Sequence, residues 1–272
     1  MFSQASEYCH SLRSSVRTHH DILATPVISF SFGPVSRVFI GRALCCNCMH
    51  RCCLLLFRFG DSELWLVMDL AEEGTLRDYV ARAAAQGQES GADAIVEERL
   101  HLAKGAAAGL KYLHDRKVQH RDIKTPNLLL SRDGSGRLTV KMGDFGLSRC
   151  QALVTATASS SSGGRSIGSP RWSSPEQLKR EPYTDKSDVY SLGVVLWELL
   201  TLQLPWGESD TMQIMMAVLM KKQLEFPDVQ TLPALLRPYH KLVASCLSLS
   251  ADDRPTSQQV CQALSEGAGT VE

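Results

Sequence analysis

The feature that most constrains the fold of this chain is a polar string at residues 120–127, which reads His-Arg-Asp-Ile-Lys-Thr-Pro-Asn. Three leucines follow at residues 128–130, then a turn, then a second apolar segment that leads into Asp-Phe-Gly at residues 144–146. A lone His-Arg-Asp tripeptide means little, because short matches occur by chance. Here, Asp, Lys and Asn stand at fixed offsets next to apolar segments that read as buried strands. The pattern predicts a chemically active loop supported by a packed core.

The bulk composition limits the classes of partner and compartment. With 272 residues, the chain is long enough to bury a sizeable core, as one domain or a lobed pair. Lys plus Arg and Asp plus Glu both number 29, so we expect neither nucleic acid nor a membrane surface as a partner. The first residues are polar, and the apolar stretch at residues 52–57 is far too short to span a bilayer. We therefore expect a soluble protein in the cytoplasm.

The composition changes near residue 60. Residues 1–60 contain six Arg, six Cys and two acidic residues, and no Lys. The cysteine cluster at residues 45–53 reads Cys-Cys-Asn-Cys-Met-His-Arg-Cys-Cys and leaves two interpretations open, a zinc site or a reduced cluster without function. The spacing favours the second, because structural zinc sites usually separate two ligand pairs by a longer loop.

Several segments carry clear secondary-structure signals. Residues 63–70 are a candidate buried strand, and Thr75 stands where a helix N-cap is expected, ahead of a helical pattern. Residues 187–201 are apolar nearly all round, which predicts a helix in the centre of a core. Helical patterns also occur at residues 99–114, 211–222, 236–247 and 257–265.

The string at residues 120–127 and the later Asp-Phe-Gly resemble the catalytic and metal loops of eukaryotic protein kinases. Further segments resemble the large lobe of that family in the family's order: residues 168–176, 187–201, 205–207 and 252–256. The resemblance covers residues 61–266 and implies an α+β, two-lobed protein-kinase-like fold with a complete, mostly helical C-lobe and an incomplete N-lobe. Residues 1–60 would be an irregular remnant of the N-lobe with a Cys- and Arg-rich insert, and residues 267–272 a tail.

The resemblance implies a role for each residue of the loop. Asp122 would accept or orient the proton of the attacking hydroxyl, and Lys124 would place a positive charge near the transferred phosphate. Asn127 belongs to the same group of catalytic residues. Together with Asp144, it would hold Mg²⁺ through oxygen ligands. The implied reaction is transfer of the ATP γ-phosphate to a protein substrate.

The nucleotide-binding residues are implied in the same way. Met68 resembles the gatekeeper position, and Asp69 and Ala71 belong to the hinge whose backbone would meet adenine. Leu129 would lie beneath the adenine ring, and Asp144 would reach the phosphates through the metal.

Two structural contacts are also implied by the resemblance. Asp188, in the central helix, would hold the backbone of the His-Arg-Asp segment. Glu176 would form a buried bidentate ion pair with Arg254, which joins two parts of the large lobe.

The choice of substrate class rests on two features. Lys124 and the pair Gly168-Ser169 resemble serine/threonine kinases, and the local sequence is most like the tyrosine-kinase-like group of these enzymes. Arg121 beside the catalytic Asp implies activation by phosphorylation, with an activating kinase acting within residues 155–169. The alternative is that the serines of this segment form only a flexible linker.

The chain departs from the family pattern in its first hundred residues. Neither G-x-G-x-x-G-x-V nor V-A-I-K occurs, and the first lysine is Lys104. Three readings stay open: a serine/threonine kinase whose glycine loop and lysine lie upstream of this sequence, a catalytically impaired kinase-like scaffold that docks partners, and an unrelated α-rich protein with chance motifs. The glycine loop and the lysine would supply part of the electrostatic positioning on which most of the catalysis depends. Because both are missing, the chain as written is expected to bind ATP weakly.

Overall fold

The computed structural model describes residues 55–59, 63–67, 71–86, 92–144, 148–150 and 169–267. The chain divides into two compact units, one with residues 1–43 and 52–70 and the other with residues 44–51 and 71–272. In the first unit, β1 (Leu55–Phe59) and β2 (Glu63–Val67) pair antiparallel, with Leu55 opposite Val67. The strand expected at residues 63–70 is therefore present over its first five residues.

The second unit is mostly helical in its described part. Its helices are α1 (Leu76–Gln86), α2 (Ala92–Asp115), α3 (Pro175–Leu178), α4 (Asp185–Thr201), α5 (Thr211–Leu219), α6 (His240–Cys246) and α7 (Ser257–Glu266). Its strands form two antiparallel pairs, β3 (Val118–Gln119) with β6 (Arg149–Cys150) and β4 (Leu128–Arg132) with β5 (Leu138–Met142). This helical lobe with small sheets confirms the expected fold class.

Helix α4 is the centre of the core, as its apolar sequence predicts. Every residue from Ser187 to Leu200 is buried, because α2 and α6 pack against this helix. Its first turn is fixed by a capping box between Thr184 and Ser187. At its other end, the guanidinium of Arg99 donates hydrogen bonds to the carbonyl oxygens of Leu199 and Leu200 at 2.7 and 2.6 Å, which satisfies carbonyls that the helix leaves unpaired.

The N-cap predicted at Thr75 is confirmed. The hydroxyl of Thr75 accepts a hydrogen bond from the Asp78 backbone N–H at 3.2 Å, and the Asp78 carboxylate accepts one from the Thr75 N–H at 2.9 Å. These two bonds satisfy donors at the start of α1 that have no partner within the helix.

Three helix boundaries differ by three residues or more from the sequence expectation. Helix α2 begins at Ala92, seven residues before the expected residue 99, and α5 ends at Leu219, three before the expected residue 222. The segment expected at residues 236–247 is divided into a 3₁₀ turn (Arg237–Tyr239) and the shorter α6. Pro238 lies inside that turn, where the missing N–H and fixed φ of proline suit the first turn of a helix and not its interior.

None of the helices in the described ranges is both long and apolar enough to cross a membrane.

Candidate active site

The pairing of β4 with β5 brings the two halves of the predicted site together. Leu128 lies opposite Met142, and the Gly143 N–H donates a 2.8 Å hydrogen bond to the carbonyl oxygen of Asn127. Asp144 follows directly, so it emerges beside the catalytic loop. A Cβ at position 143 would lie 3.1 Å from the Leu129 side chain and 3.2 Å from the Asn127 carbonyl oxygen, and glycine permits this close approach.

Asp122 is held by two donors from its own loop. Its Oδ2 accepts from Lys124 Nζ at 2.7 Å and from Asn127 Nδ2 at 2.9 Å, and the same Nδ2 also donates to the Asp122 carbonyl oxygen at 2.9 Å. The carboxylate is only 13% exposed in its pairing with Lys124. The structure therefore assembles Asp122, Lys124 and Asn127 into one hydrogen-bonded group.

Lys124 also reaches Ser169, at the end of the segment in which phosphorylation is expected. Its Nζ donates to the Ser169 hydroxyl at 3.1 Å, and Ser169 directly precedes the 3₁₀ turn Pro170–Trp172. The lysine thus joins the loop at residues 120–127 to the start of the Pro170–Trp172 turn.

The backbone of the loop is anchored by Asp188, as expected. Its carboxylate accepts hydrogen bonds from the backbone N–H of His120 and of Arg121, both at 2.9 Å, and from the Tyr183 hydroxyl at 2.5 Å. Arg121 has a φ of 72°, a left-handed conformation that costs free energy for a residue with a side chain. The buried carboxylate of Asp188 stabilises this strained turn and confirms the prediction.

The ring of His120 lies between two backbone groups of the site. Its Nε2 lies 3.0 Å from the carbonyl oxygen of Gly143, to which it must donate, and its Nδ1 accepts from the Asp122 N–H at 3.4 Å. Burial lowers the pKa of His120 below its ordinary value. The ring joins the catalytic loop to the residue before Asp144.

The predicted ion pair between Glu176 and Arg254 is present and bidentate. Arg254 Nη1 and Nη2 donate to the two carboxylate oxygens at 2.7 and 2.9 Å, and the Ser187 hydroxyl donates to Oε1 at 2.6 Å. Although burial favours the neutral acid, the hydrogen bonds from Arg254 and Ser187 lower the pKa of Glu176.

Sequence reasoning did not identify Glu198, which connects three segments around the site. Its fully buried carboxylate accepts from Trp172 Nε1 at 2.7 Å and from the Thr125 hydroxyl at 3.1 Å, and it pairs with the Arg77 guanidinium at 3.3 Å. Burial raises the pKa of Glu198 to about 7. One signal was available: an acidic residue inside an otherwise apolar helix has to find partners, since unpaired buried carboxylates are rare.

The donor set fits a hard cation. Since Asn127 Nδ2 is used by Asp122, the amide oxygen is the atom left to bind a metal, and Asp144 is exposed beside it. Two oxygen ligands suit Mg²⁺, which usually takes one or two protein ligands together with phosphates and water. In the part of the chain that the structure describes, no group of three or more His, Cys, Asp or Glu forms a further metal site.

The expected nucleotide-binding residues are only partly described. Leu129 is half-buried between two buried leucines and bridges to Thr75, and Ala71 is half-buried in the same unit. Met68, Asp69, the Phe-Gly of residues 145–146, the cysteine cluster and residues 151–168 lie outside the described residues.

Comparison with known proteins decides the family. A family model for the protein kinase domain matches residues 45–264. This chain belongs to the protein kinase family. The resemblance to serine/threonine kinases of the tyrosine-kinase-like group is also confirmed by the relatives that follow.

The serine/threonine-protein kinase CTR1 of Arabidopsis thaliana is 46% identical over 168 residues, which are 61% of this chain and 19% of that protein. The probable serine/threonine-protein kinase SIS8 of the same plant is 35% identical over 205 residues, 74% of this chain and 18% of the relative. The mitogen-activated protein kinase kinase kinase dlk-1 of Caenorhabditis briggsae is 38% identical over 159 residues, 58% of this chain and 17% of the relative. The chain thus spans about a fifth of the length of these relatives.

Proposed function

We propose that this chain is a protein serine/threonine kinase domain that transfers the γ-phosphate of ATP to Ser or Thr hydroxyls of protein substrates. The observation that carries the proposal is the hydrogen-bonded group of Asp122, Lys124 and Asn127 next to Asp144. Phosphoryl transfer needs a carboxylate near the attacking hydroxyl, cations near the phosphate and oxygen ligands for a metal, and these residues supply each of them.

Each residue has a defined task in this proposal. Asp122 holds the substrate hydroxyl and takes its proton, with the carboxylate oriented by the Lys124 and Asn127 donors. Lys124 Nζ, 3.1 Å from the Ser169 hydroxyl, stabilises negative charge on the transferred group. Bound Mg²⁺ neutralises phosphate charge, and Asn127 and Asp144 are the residues that would hold it. Leu129 packs beneath adenine, and the backbone of Ala71 meets its edge.

The proposal is tested with γ-labelled ATP and three peptide pools that contain Ser, Thr or Tyr as the only hydroxyl acceptor. We expect label on the Ser and Thr pools, and a fall of about 10²–10⁴-fold with Asp122→Asn, since a positioned general base contributes this much. Asp253→Asn, at an exposed acid in the loop before α7, is the matched control and should retain activity. Label on the Tyr pool alone, or equal transfer by Asp122→Asn, would contradict the proposal.

A second candidate function is a kinase-like scaffold that docks partners without transferring phosphate. It is supported by the sequence, because no lysine precedes Lys104 among these residues and no glycine loop is present. Thermal melting with and without MgATP separates the two functions. A kinase site predicts a rise in Tm that Asp144→Asn abolishes, whereas a scaffold predicts no rise in either protein.

Regulation by phosphorylation within residues 155–169 belongs to the same proposal, with an activating kinase as a partner and the cytoplasm as the compartment. Arg121 supports it. Its guanidinium donates to the Gln119 side chain at 2.7 Å and lies 5.0 Å from the Tyr183 ring, and arginine binds a phosphate dianion strongly through charge-assisted hydrogen bonds. Mass spectrometry of the active protein would locate the phosphate, and phosphate confined to sites outside residues 155–169 would contradict this part.

A further inference from the structure

Helix α5 exposes an apolar face that the proposed kinase reaction does not use. Among the described residues, five large apolar side chains are exposed, and four of them lie on or directly after this nine-residue helix. Met212 and Met220 are 66% and 64% exposed, and Met216 and Leu219 are 44% and 43% exposed. At about 100° per residue, the four side chains form one stripe about 100° wide. The opposite side of the helix, with Ile214 and Val218, is buried in the lobe.

The stripe is firmly held in place. Asp210 caps α5 through a capping box, in which its carboxylate accepts from the Gln213 N–H at 2.8 Å and the Gln213 side chain accepts from the Asp210 N–H at 2.9 Å. The polar side chain of Gln213, beside the stripe, is therefore used for capping. A contiguous exposed apolar face on a fixed helix marks an interaction surface.

The sequence of this face is largely symmetric about Met216. Met212 and Met220 stand four residues before and after Met216, and the exposed Asp210 and Lys222 stand six residues before and after it. Three of the four apolar positions are thus repeated in reverse, whereas the counterpart of Leu219 is the capping residue Gln213, and the charges at the two ends have opposite sign. Such a face complements its own antiparallel copy, because a two-fold axis brings residue i against j and j against i.

We propose that α5 is a homodimer interface, at which this helix pairs antiparallel with α5 of a second copy about a two-fold axis at Met216. The axis sets Met216 against its equivalent and Met212 against the second copy's Met220. Asp210 of each copy then faces the C-terminal end of the other copy's α5, which is followed by the exposed Lys221 and Lys222. The antiparallel arrangement also opposes the two helix dipoles, which is favourable.

The size of the face sets the strength of the dimer. Four partly exposed side chains bury about 400 Å² per copy, roughly half of what a stable interface of standard size buries. The dimer is therefore weak, and it forms only at micromolar concentrations or when the copies are brought together by other parts of a longer protein.

The test is sedimentation velocity on the 272-residue chain from about 1 to 200 µM, the range in which an interface of this size associates. The weight-average mass of the unsubstituted protein should rise toward that of a dimer. Met216→Glu and Met216→Lys should each stay monomeric, because the two-fold axis sets like charges against each other. An equimolar mixture of these two variants should associate again, since opposite charges then meet at the axis.

The matched control is Ala84, an exposed residue on α1. Ala84→Glu and Ala84→Lys add the same charges to a different helix and should dimerise like the unsubstituted protein. A monomer at every concentration would overturn the proposal and leave the face to a different protein partner. Dimers that persist in both Met216 variants, or a mixture that stays monomeric, would also overturn it.

Discussion

At the scale of single residues, Lys124 is the side chain whose removal should separate catalysis from stability. Its ammonium group contacts the Asp122 carboxylate at 2.7 Å and the Ser169 hydroxyl at 3.1 Å, while its side chain keeps 18% of its surface in solvent. Because Asn127 Nδ2 still donates to the same Asp122 oxygen when the lysine is removed, the carboxylate keeps a partner and the loss of stability should be small. The contribution of Lys124 to catalysis should be large, because its ammonium group is already positioned to stabilise the negative charge that develops during phosphoryl transfer.

We therefore expect Lys124→Met to lower kcat by about 10²–10³-fold. Tm should change by only a few degrees, as for a loss of about 1 kcal/mol. Lys241→Met removes an exposed lysine of α6, away from the site, and is the control for charge alone. A variant that transfers phosphate at the normal rate would show that Lys124 does not act in the reaction.

The residues of the site were predictable to different degrees. The spacing of Asp122, Lys124 and Asn127 pointed to their grouping, because the three lie in one short loop and need little of the remaining fold to meet. The contact of Asp188 with that loop was also expected. Glu198 was missed because its three partners come from distant segments, and a single sequence does not show which of them fold against one helix.

At the scale of elements, two mid-helix glycines allow a paired test of packing. A Cβ on Gly193 of α4 would lie 2.7 Å from the Cys246 Cβ and 3.3 Å from its backbone carbon, so α4 and α6 would have to move apart. A Cβ on Gly105 of α2 would lie 3.6 Å from Val140, an ordinary contact. The same substitution should therefore have opposite effects at the two positions.

We expect Gly193→Ala to destabilise the protein by about 1–3 kcal/mol, as overpacking does. Gly105→Ala should stabilise it by about 0.5–1 kcal/mol, because alanine is the better helix former. Urea denaturation followed by circular dichroism measures both. Equal changes of the same sign would contradict the close approach of α4 and α6.

The ion pair of Glu176 and Arg254 links α3 to the loop before α7, and it is testable by a double-mutant cycle. Arg254 is 1% exposed, so Arg254→Met leaves a buried carboxylate without its cation. We expect a loss of about 3–5 kcal/mol for this variant, and a smaller loss for Arg254→Met combined with Glu176→Gln. A double variant that is no more stable than the single one would show that the charge of Glu176 is not the cause.

The elements themselves were predicted best where local signals were strong. The capped start of α1 and the apolar sequence of α4 were read correctly, because both depend on neighbouring residues. Two features were not read correctly: the early start of α2 at Ala92 and the division of residues 236–247. Packing against other helices decides how far a weak helical pattern extends.

At the scale of the whole molecule, two buried carboxylates shape the pH dependence of stability in opposite directions. The pKa of Glu176 is lowered by Arg254 and Ser187 against the effect of burial, so its contribution is present above its ordinary pKa of 4.5. That contribution is lost as the pH falls through its folded pKa. The pKa of Glu198 is raised by burial to about 7, so the folded protein binds more protons than the unfolded chain between pH 4.5 and that value. Stability from Glu198 is therefore full below pH 4.5 and is lost as the pH rises to about 7.

Glu198→Gln should remove the pH dependence of stability that Glu198 causes and leave the one that Glu176 causes. The amide oxygen can still accept from Trp172, and no charge has to be buried at alkaline pH. At about 1.4 kcal/mol for each pKa unit, the stability of the variant relative to the unsubstituted protein should rise by roughly 2–3 kcal/mol between about pH 5 and 8. Urea denaturation at several pH values measures this difference, with Glu208→Gln, at an exposed acid, as the control. Parallel stability curves for Glu198→Gln and the unsubstituted protein would mean that Glu198 stays ionised throughout, with Arg77, Thr125 and Trp172 compensating its burial.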